Sequence, residues 1–215
     1  LHIATDKCNL DIVKYLVEQC HLDVNIKDKN ELTPLHIAIE KNNTDIVKYL
    51  VEQCNAVVNI QEKHRYSLFG KYILRGFLPT PLHFATEKGN IDIIKYLIEK
   101  GHGDVNIKNY NGQTPLHIAT EECNINIVKY LIEQCHLDVN EKDENGQTAL
   151  YTATEKCNID IVKYLVEECH ADIGTISKAA IINATEKGDI EFVKYLVEQY
   201  HADVNIKDKN GQTPL

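Results

Sequence analysis

The chain has 215 residues, 43% hydrophobic and 26% charged, the balance of a packed soluble fold; its net charge of −9 opposes any general affinity for phosphate-rich nucleic acid. No apolar run approaches the roughly 18 residues that a membrane-crossing helix needs. The seven cysteines are an odd number, so they cannot all pair within one chain.

One stretch of sequence recurs down the chain. Its anchor leucine falls at Leu1, Leu35, Leu82, Leu116, Leu150 and Leu215, with Ile181 in the equivalent place; four of the six spacings are 34 residues, one is 47 and one is 31. A period of this length marks a stacked array rather than a globule with one core. Within each unit, Thr33, Thr80 and Thr114 are placed to cap a helix. Pro34, Pro81 and Pro115 follow in its first turn, where a missing N–H costs nothing. This helix is predicted to stop near Asn42, Gly89 or Gly188, residues that tolerate a left-handed turn. Asn9, Asn43, Asn90, Asn124 and Asn158 then cap a second helix, with Asp11, Asp45, Asp92 and Asp160 in its first turn to suit the helix dipole. The second helix reads Asp-Ile-Val-Lys-Tyr-Leu-Val-Glu and carries two apolar stripes, so it needs cover from both neighbouring units. An extended Asp-Val-Asn-Ile stretch follows, and Asn111-Gly112, Asn145-Gly146 and Asn210-Gly211 mark tight turns.

The Thr-Pro-Leu-His-Ile-Ala run and the order helix, turn, helix, finger resemble the ankyrin repeat, over essentially the whole chain. Each unit is one residue longer, after its second helix, than the usual 33 of that family. The resemblance implies an all-α ankyrin-repeat solenoid of helix-turn-helix units with β-hairpin-like fingers. It also implies that His2, His36, His83 and His117 tie threonine and backbone groups together at the helix starts. Finger tips and the exposed side of the first helix would form a concave face for other proteins. Six units can be counted and a seventh begins at residues 213–215. Since neither end shows the polar outer face of a terminal repeat, residues 1–215 read as a single array truncated at both ends.

Chemistry of other kinds finds little footing. Cys8, Cys123 and Cys157 sit at the end of first helices, and Cys20, Cys54, Cys135 and Cys169 at the end of second helices. The two slots lie about 15 Å apart along a helix pair, and equivalent slots about 8–10 Å apart between units. Disulfides need Cα atoms within about 7 Å, and zinc needs four convergent ligands. Free thiols in a reducing, cytoplasmic compartment are therefore expected, with no metal and no cofactor. No phosphate loop, dinucleotide fingerprint, zinc-protease or nucleophile-elbow motif is present, so no catalytic residue is assigned. The abundant Glu and Asp read as solvated helix faces.

Two places break the period. Residues 63–79 are an insertion between the second and third units with a formal charge of +4, which leaves −13 on the rest of the chain. It contains both arginines, Arg65 and Arg75, with Lys71, Tyr66, Phe69, Tyr72 and Phe77 among them. These are the side-chain types that anchor protein interfaces. Together with Tyr110, the only aromatic at a finger tip, they are the candidate partner-binding residues, and acidic proteins are the expected partners. A packing loop and a gene-model artefact remain alternatives for this segment. The second break, residues 171–183, loses three residues, the Asn-Gly turn and the Thr-Pro start, and reads as a degenerate joint. The function expected is protein–protein interaction as scaffold or adaptor. The alternative is a regulatory or targeting arm of a larger enzyme or channel.

Overall fold

The threonine-proline pairs at residues 33–34, 80–81 and 114–115 each start a helix, and each capping asparagine starts the next. The computed structural model describes residues 1–60, 63–64, 76–77, 79–176, 180–207 and 210–214. Its elements run in pairs: α1 (His2–Asp6) with α2 (Leu10–Glu18), then α3 (Pro34–Glu40) with α4 (Thr44–Lys48). After a two-strand ladder, β1 (Lys63–His64) and β2 (Gly76–Phe77), come α5 (Pro81–Glu87) and α6 (Ile91–Glu99). α7 (Pro115–Glu121) and α8 (Ile125–Cys135) precede α9 (Ala149–Lys156) and α10 (Ile159–Lys163), and the last pair is α11 (Ala180–Lys187) and α12 (Ile190–Tyr200). The fold is an all-α repeat solenoid.

The chain divides into two compact units, Leu1–Ile118 and Ala119–Leu215. In the first, α1 packs on α3 and α3 on α5, while α2 packs on α4 and α4 on α6. Like helices thus stack on like helices. Both predicted stripes of the second helix are covered: Ile46, Val47 and Leu50 in α4 and its continuation, and Ile93, Ile94 and Leu97 in α6, have no exposed surface. The anchors Leu35 and Leu82 are likewise fully buried. Each such side chain stabilises by roughly 1.5–3 kcal/mol relative to leaving it in water. In the second unit, α8 packs on α10 and α9 on α11, around Ile127, Leu131, Leu150, Ile161, Leu165 and Phe192.

The helix ends explain the 34-residue period. First helices close in the predicted left-handed turn, with Asn42 at φ 56° and Gly89 at φ 72°; Cys8, Cys123 and Cys157 adopt the same conformation. Second helices also end left-handed, at His21, Asn55, His102, His136, His170 and His201, which the sequence reading did not anticipate. There the last turn is wide. The N–H groups of Ala56, Gly103 and Ala171 donate to the carbonyls of Leu50, Leu97 and Leu165, each at 2.9 Å and six residues back. A Schellman closure spans five. In two units the widening becomes a π turn, at Tyr49–Gln53 and Tyr164–Glu168. The additional residue of each repeat is accommodated here.

Outside the insertion the fingers close as tight loops, without strands among the described residues. Asp28, Asn109 and Asp143 each donate a backbone N–H to the carbonyl four residues on (Leu32, Gln113, Gln147) at 2.9 Å. Their side-chain oxygens then accept two further N–H groups, from Asn30 and Leu32 in the first finger. Gly112 and Gly146 take φ 70° and 75°; in the first finger Glu31 takes φ 63° without the benefit of a missing Cβ.

At the degenerate joint, Asp172 caps a short 3-10 turn, Ile173–Thr175, by accepting the Gly174 N–H at 2.9 Å. Ala180 and Ile181 then open α11 buried. Residues 177–179 of the joint lie outside the described residues.

Candidate interaction surface

The histidine of each Thr-Pro-Leu-His start has two tasks. Its Nδ1 accepts the N–H of the capping threonine in its own unit, at 3.2 Å for His36 and 3.1 Å for His83, with the threonine hydroxyl 2.9 Å away in both. Accepting at Nδ1 leaves Nε2 as the protonated nitrogen. His2 Nε2 reaches the Leu32 carbonyl at 2.9 Å, and His83 Nε2 the Gln113 carbonyl at 3.1 Å. Each of those carbonyls lies just before the next unit's capping threonine. His36 faces the matching carbonyl, that of Pro79, which acts on the ring although Nε2 itself stays outside hydrogen-bonding geometry. Burial lowers the pKa of both His36 and His83 to about 4, so at neutral pH both rings are uncharged.

A second cross-unit series runs through the fingers. The Asn25 carboxamide oxygen accepts the Val57 N–H, Asn59 that of Asp104 and Asn140 that of Asp172, all at 2.8 Å. A third series lies on the second helices. The hydroxyls of Tyr49, Tyr164 and Tyr195 donate to Glu18, Glu133 and Glu167 of the preceding unit at 3.1, 3.0 and 2.8 Å. Lys14, Lys129 and Lys163 stand over the same rings at 5.7, 5.2 and 5.2 Å from the centroids. Burial, and then hydrogen bonding to neighbouring groups, raises the pKa of all three tyrosines. At Tyr96 burial leads again and Glu52 contributes, yet the hydroxyl is outside hydrogen-bonding geometry. Glu18, Glu133 and Glu167 are exposed, as their sequence setting implies, and each also accepts a bond from the neighbouring unit. The signal was present in the repeated Lys-Tyr-Leu-Val-Glu, whose tyrosine and glutamate always return together.

First helices are joined more loosely. Lys41 meets Asp6 at 2.9 Å and lowers its carboxyl pKa by hydrogen bonding and charge. Lys187 donates to the Lys156 carbonyl at 3.2 Å, and Asn183 to Glu155 at 3.1 Å. Among the described residues no disulfide forms, and burial raises the pKa of Cys54, Cys157 and Cys169.

Of the candidate binding residues, Tyr110 is half-buried at its finger tip. Phe77 is in β2, whose backbone pairs antiparallel with β1 in the register Lys63 with Phe77 and His64 with Gly76. Arg65, Tyr66, Phe69, Lys71, Tyr72 and Arg75 lie outside the described residues. The flanks of the insertion are nevertheless fixed: α3 packs on α5, and the His36 ring meets the Phe84 ring edge-on at 5.2 Å. The thirteen additional residues enter and leave without parting the second and third units.

Stacked helix pairs joined by short capped turns and looped fingers define a helical repeat protein whose exposed surface is assembled from many units. The sequence matches the family model of ankyrin repeats in three overlapping blocks, residues 1–107, 66–143 and 82–177, and the single ankyrin repeat model over residues 179–209. The chain belongs to the ankyrin-repeat family. A search of curated proteins finds no match to it. Ankyrin repeats generally mediate protein–protein interaction and are typically non-catalytic. Among the described residues, no helix is long and apolar enough to cross a membrane.

Proposed function

We propose that this chain is a scaffold or adaptor module that holds a protein partner at the insertion spanning residues 63–79, in a reducing, cytoplasmic compartment. The observation that carries this reading is the contrast between insertion and array. In the array Tyr49, Tyr164 and Tyr195, with their glutamate partners, and His2 and His83 join one unit to the next, whereas the insertion concentrates charge of +4 and four aromatic side chains in a chain of net −9. Arg65, Tyr66, Phe69, Tyr72, Arg75 and Phe77 are the types that dominate interface energetics, and their charge selects acidic partners. The paired flanks Lys63–His64 and Gly76–Phe77, with α3 stacked on α5, support a segment that can be lengthened without cost to the helices.

Deleting residues 64–76 tests this directly. Loss of capture of an acidic partner, with an unchanged melting temperature, is the expected result. A fall in melting temperature instead would identify a packing loop and end the proposal. Replacing Arg65 and Arg75 by glutamate should abolish capture while leaving the fold intact.

A further inference from the structure

Two fingers share a turn but not an environment. In each, an Asn-Gly pair sits with glycine left-handed, at φ 70° for Gly112 and 75° for Gly146. Each glycine N–H donates to the carbonyl three residues back, Asn109 at 3.0 Å and Asp143 at 3.1 Å. There the likeness ends. Gly112 is buried, and the Asn111 carboxamide donates to Gln113 Oε1 at 3.4 Å, where the Asn109 carboxamide also arrives at 3.2 Å. Asn145 and Gly146 are both exposed. A Cβ placed on Gly146 would meet nothing within 4 Å, and among the described residues the Asn145 carboxamide has no hydrogen-bond partner.

We infer that Asn145 is a site of spontaneous covalent modification, through a cyclic imide to aspartate and isoaspartate. The Gly146 nitrogen, once its proton is lost to solvent base, attacks the Asn145 side-chain carbonyl carbon. A carbon–nitrogen bond forms to the backbone, the bond to Nδ2 breaks, and ammonia leaves. Water then opens the five-membered imide at either carbonyl. The sum consumes one water and releases one ammonia, with no change of oxidation state. The absent glycine side chain lets the nitrogen approach, and the open surroundings leave room for the ring. At Asn111 the same attack requires a held carboxamide to turn and a buried glycine to move.

The product changes the finger in two ways. A new carboxylate joins Asp143 and Glu144, deepening the acidic charge. Isoaspartate also routes the main chain through the side chain and adds a backbone carbon. That displaces the N–H groups of residues 145 and 147, which Asp143 Oδ1 holds at 2.8 Å each. The fourth finger would age ahead of the third and lose its shape.

The experiment needs only the intact chain. It is incubated folded at neutral pH and, in parallel, in denaturant. Peptide mapping by mass spectrometry follows the exchange of NH2 for OH at each asparagine, and enzymatic methyl transfer to isoaspartate counts that isomer. Asn145 is expected to react several-fold faster than Asn111 in the folded chain, with the two rates converging in denaturant. Equal rates in the folded chain would overturn the inference, as would an Asn145 that reacts only when unfolded. Gly146→Ala, its fold checked by circular dichroism, should suppress reaction at residue 145 and leave Asn111 unchanged; undiminished reaction there would also overturn it.

Discussion

The hydroxyl of Tyr49 donates to Glu18 Oε1 at 3.1 Å across 31 residues, with the Lys14 ammonium standing 5.7 Å from the centre of the same ring. One tyrosine is thus gripped at its tip and on its face by two side chains of the preceding helix. Tyr164 and Tyr195 repeat the arrangement in the second unit. The contact turns a helix surface that looks merely solvated into a seam between repeats.

That seam has a measurable strength. Tyr49→Phe keeps the ring and removes the donor, and should destabilise the chain by about 1 kcal/mol. A double-mutant cycle with Glu18→Gln isolates the pair from the cation–ring contact. A coupling energy indistinguishable from zero in urea denaturation would show that the bond contributes nothing to stability.

Acid should weaken the array through its buried histidines. His36 and His83 have pKa values of about 4 in the folded chain, chiefly because burial penalises the charged ring, against 6.5 when unfolded. The unfolded chain therefore binds more protons between those values, and stability falls as pH falls. The contribution of neutral burial is whole above pH 6.5 and is lost progressively down to pH 4, by roughly 3 kcal/mol for each histidine. Urea midpoints at a series of pH values in this window check it. A variant carrying His36→Asn and His83→Asn should have the flatter profile.

Gly101 makes the repeat pattern misleading. Cysteine stands at the equivalent position in four other units, so Gly101→Cys looks like a return to the common residue. A Cβ there would come within 2.7 Å of the Leu97 carbonyl oxygen and 2.8 Å of Val58 Cγ2. Gly101→Ala and Gly101→Cys should each cost about 1–3 kcal/mol, as overpacking does, and lower the melting temperature. A neutral or stabilising result would mean that Val58 and the last turn of α6 can yield.

The degenerate joint should open more readily than a regular finger. It lacks the Asn-Gly turn and the Thr-Pro start, and a lost threonine cap alone costs about 0.5–2 kcal/mol. Hydrogen exchange is expected to be faster across residues 171–176 than across the matching residues 137–142, since repeat arrays open where an interface is weakest. Equal protection in the two stretches would show a joint no weaker than its neighbours.

Sequence alone determined what a residue does within its own few neighbours. Thr33 and Thr80 beside proline, Asn43, Asn90 and Asn158 before a helix, and Asn42 and Gly89 after one act through hydrogen bonds three to five residues long, and a linear reading reaches that far. The period itself announced the stacking, because apolar faces that recur every 34 residues can be covered only by one another. What tertiary structure decided lies one repeat away. Nothing local tells Tyr49 that its partner is Glu18, or His83 that the Gln113 carbonyl awaits it, since within the repeat pattern each residue has an equivalent in every unit and only the register of stacking selects one. The wide turn that absorbs the additional residue and the glycine at position 101 that accommodates Val58 have the same origin: they are set by how closely successive repeats approach, a distance the sequence does not contain.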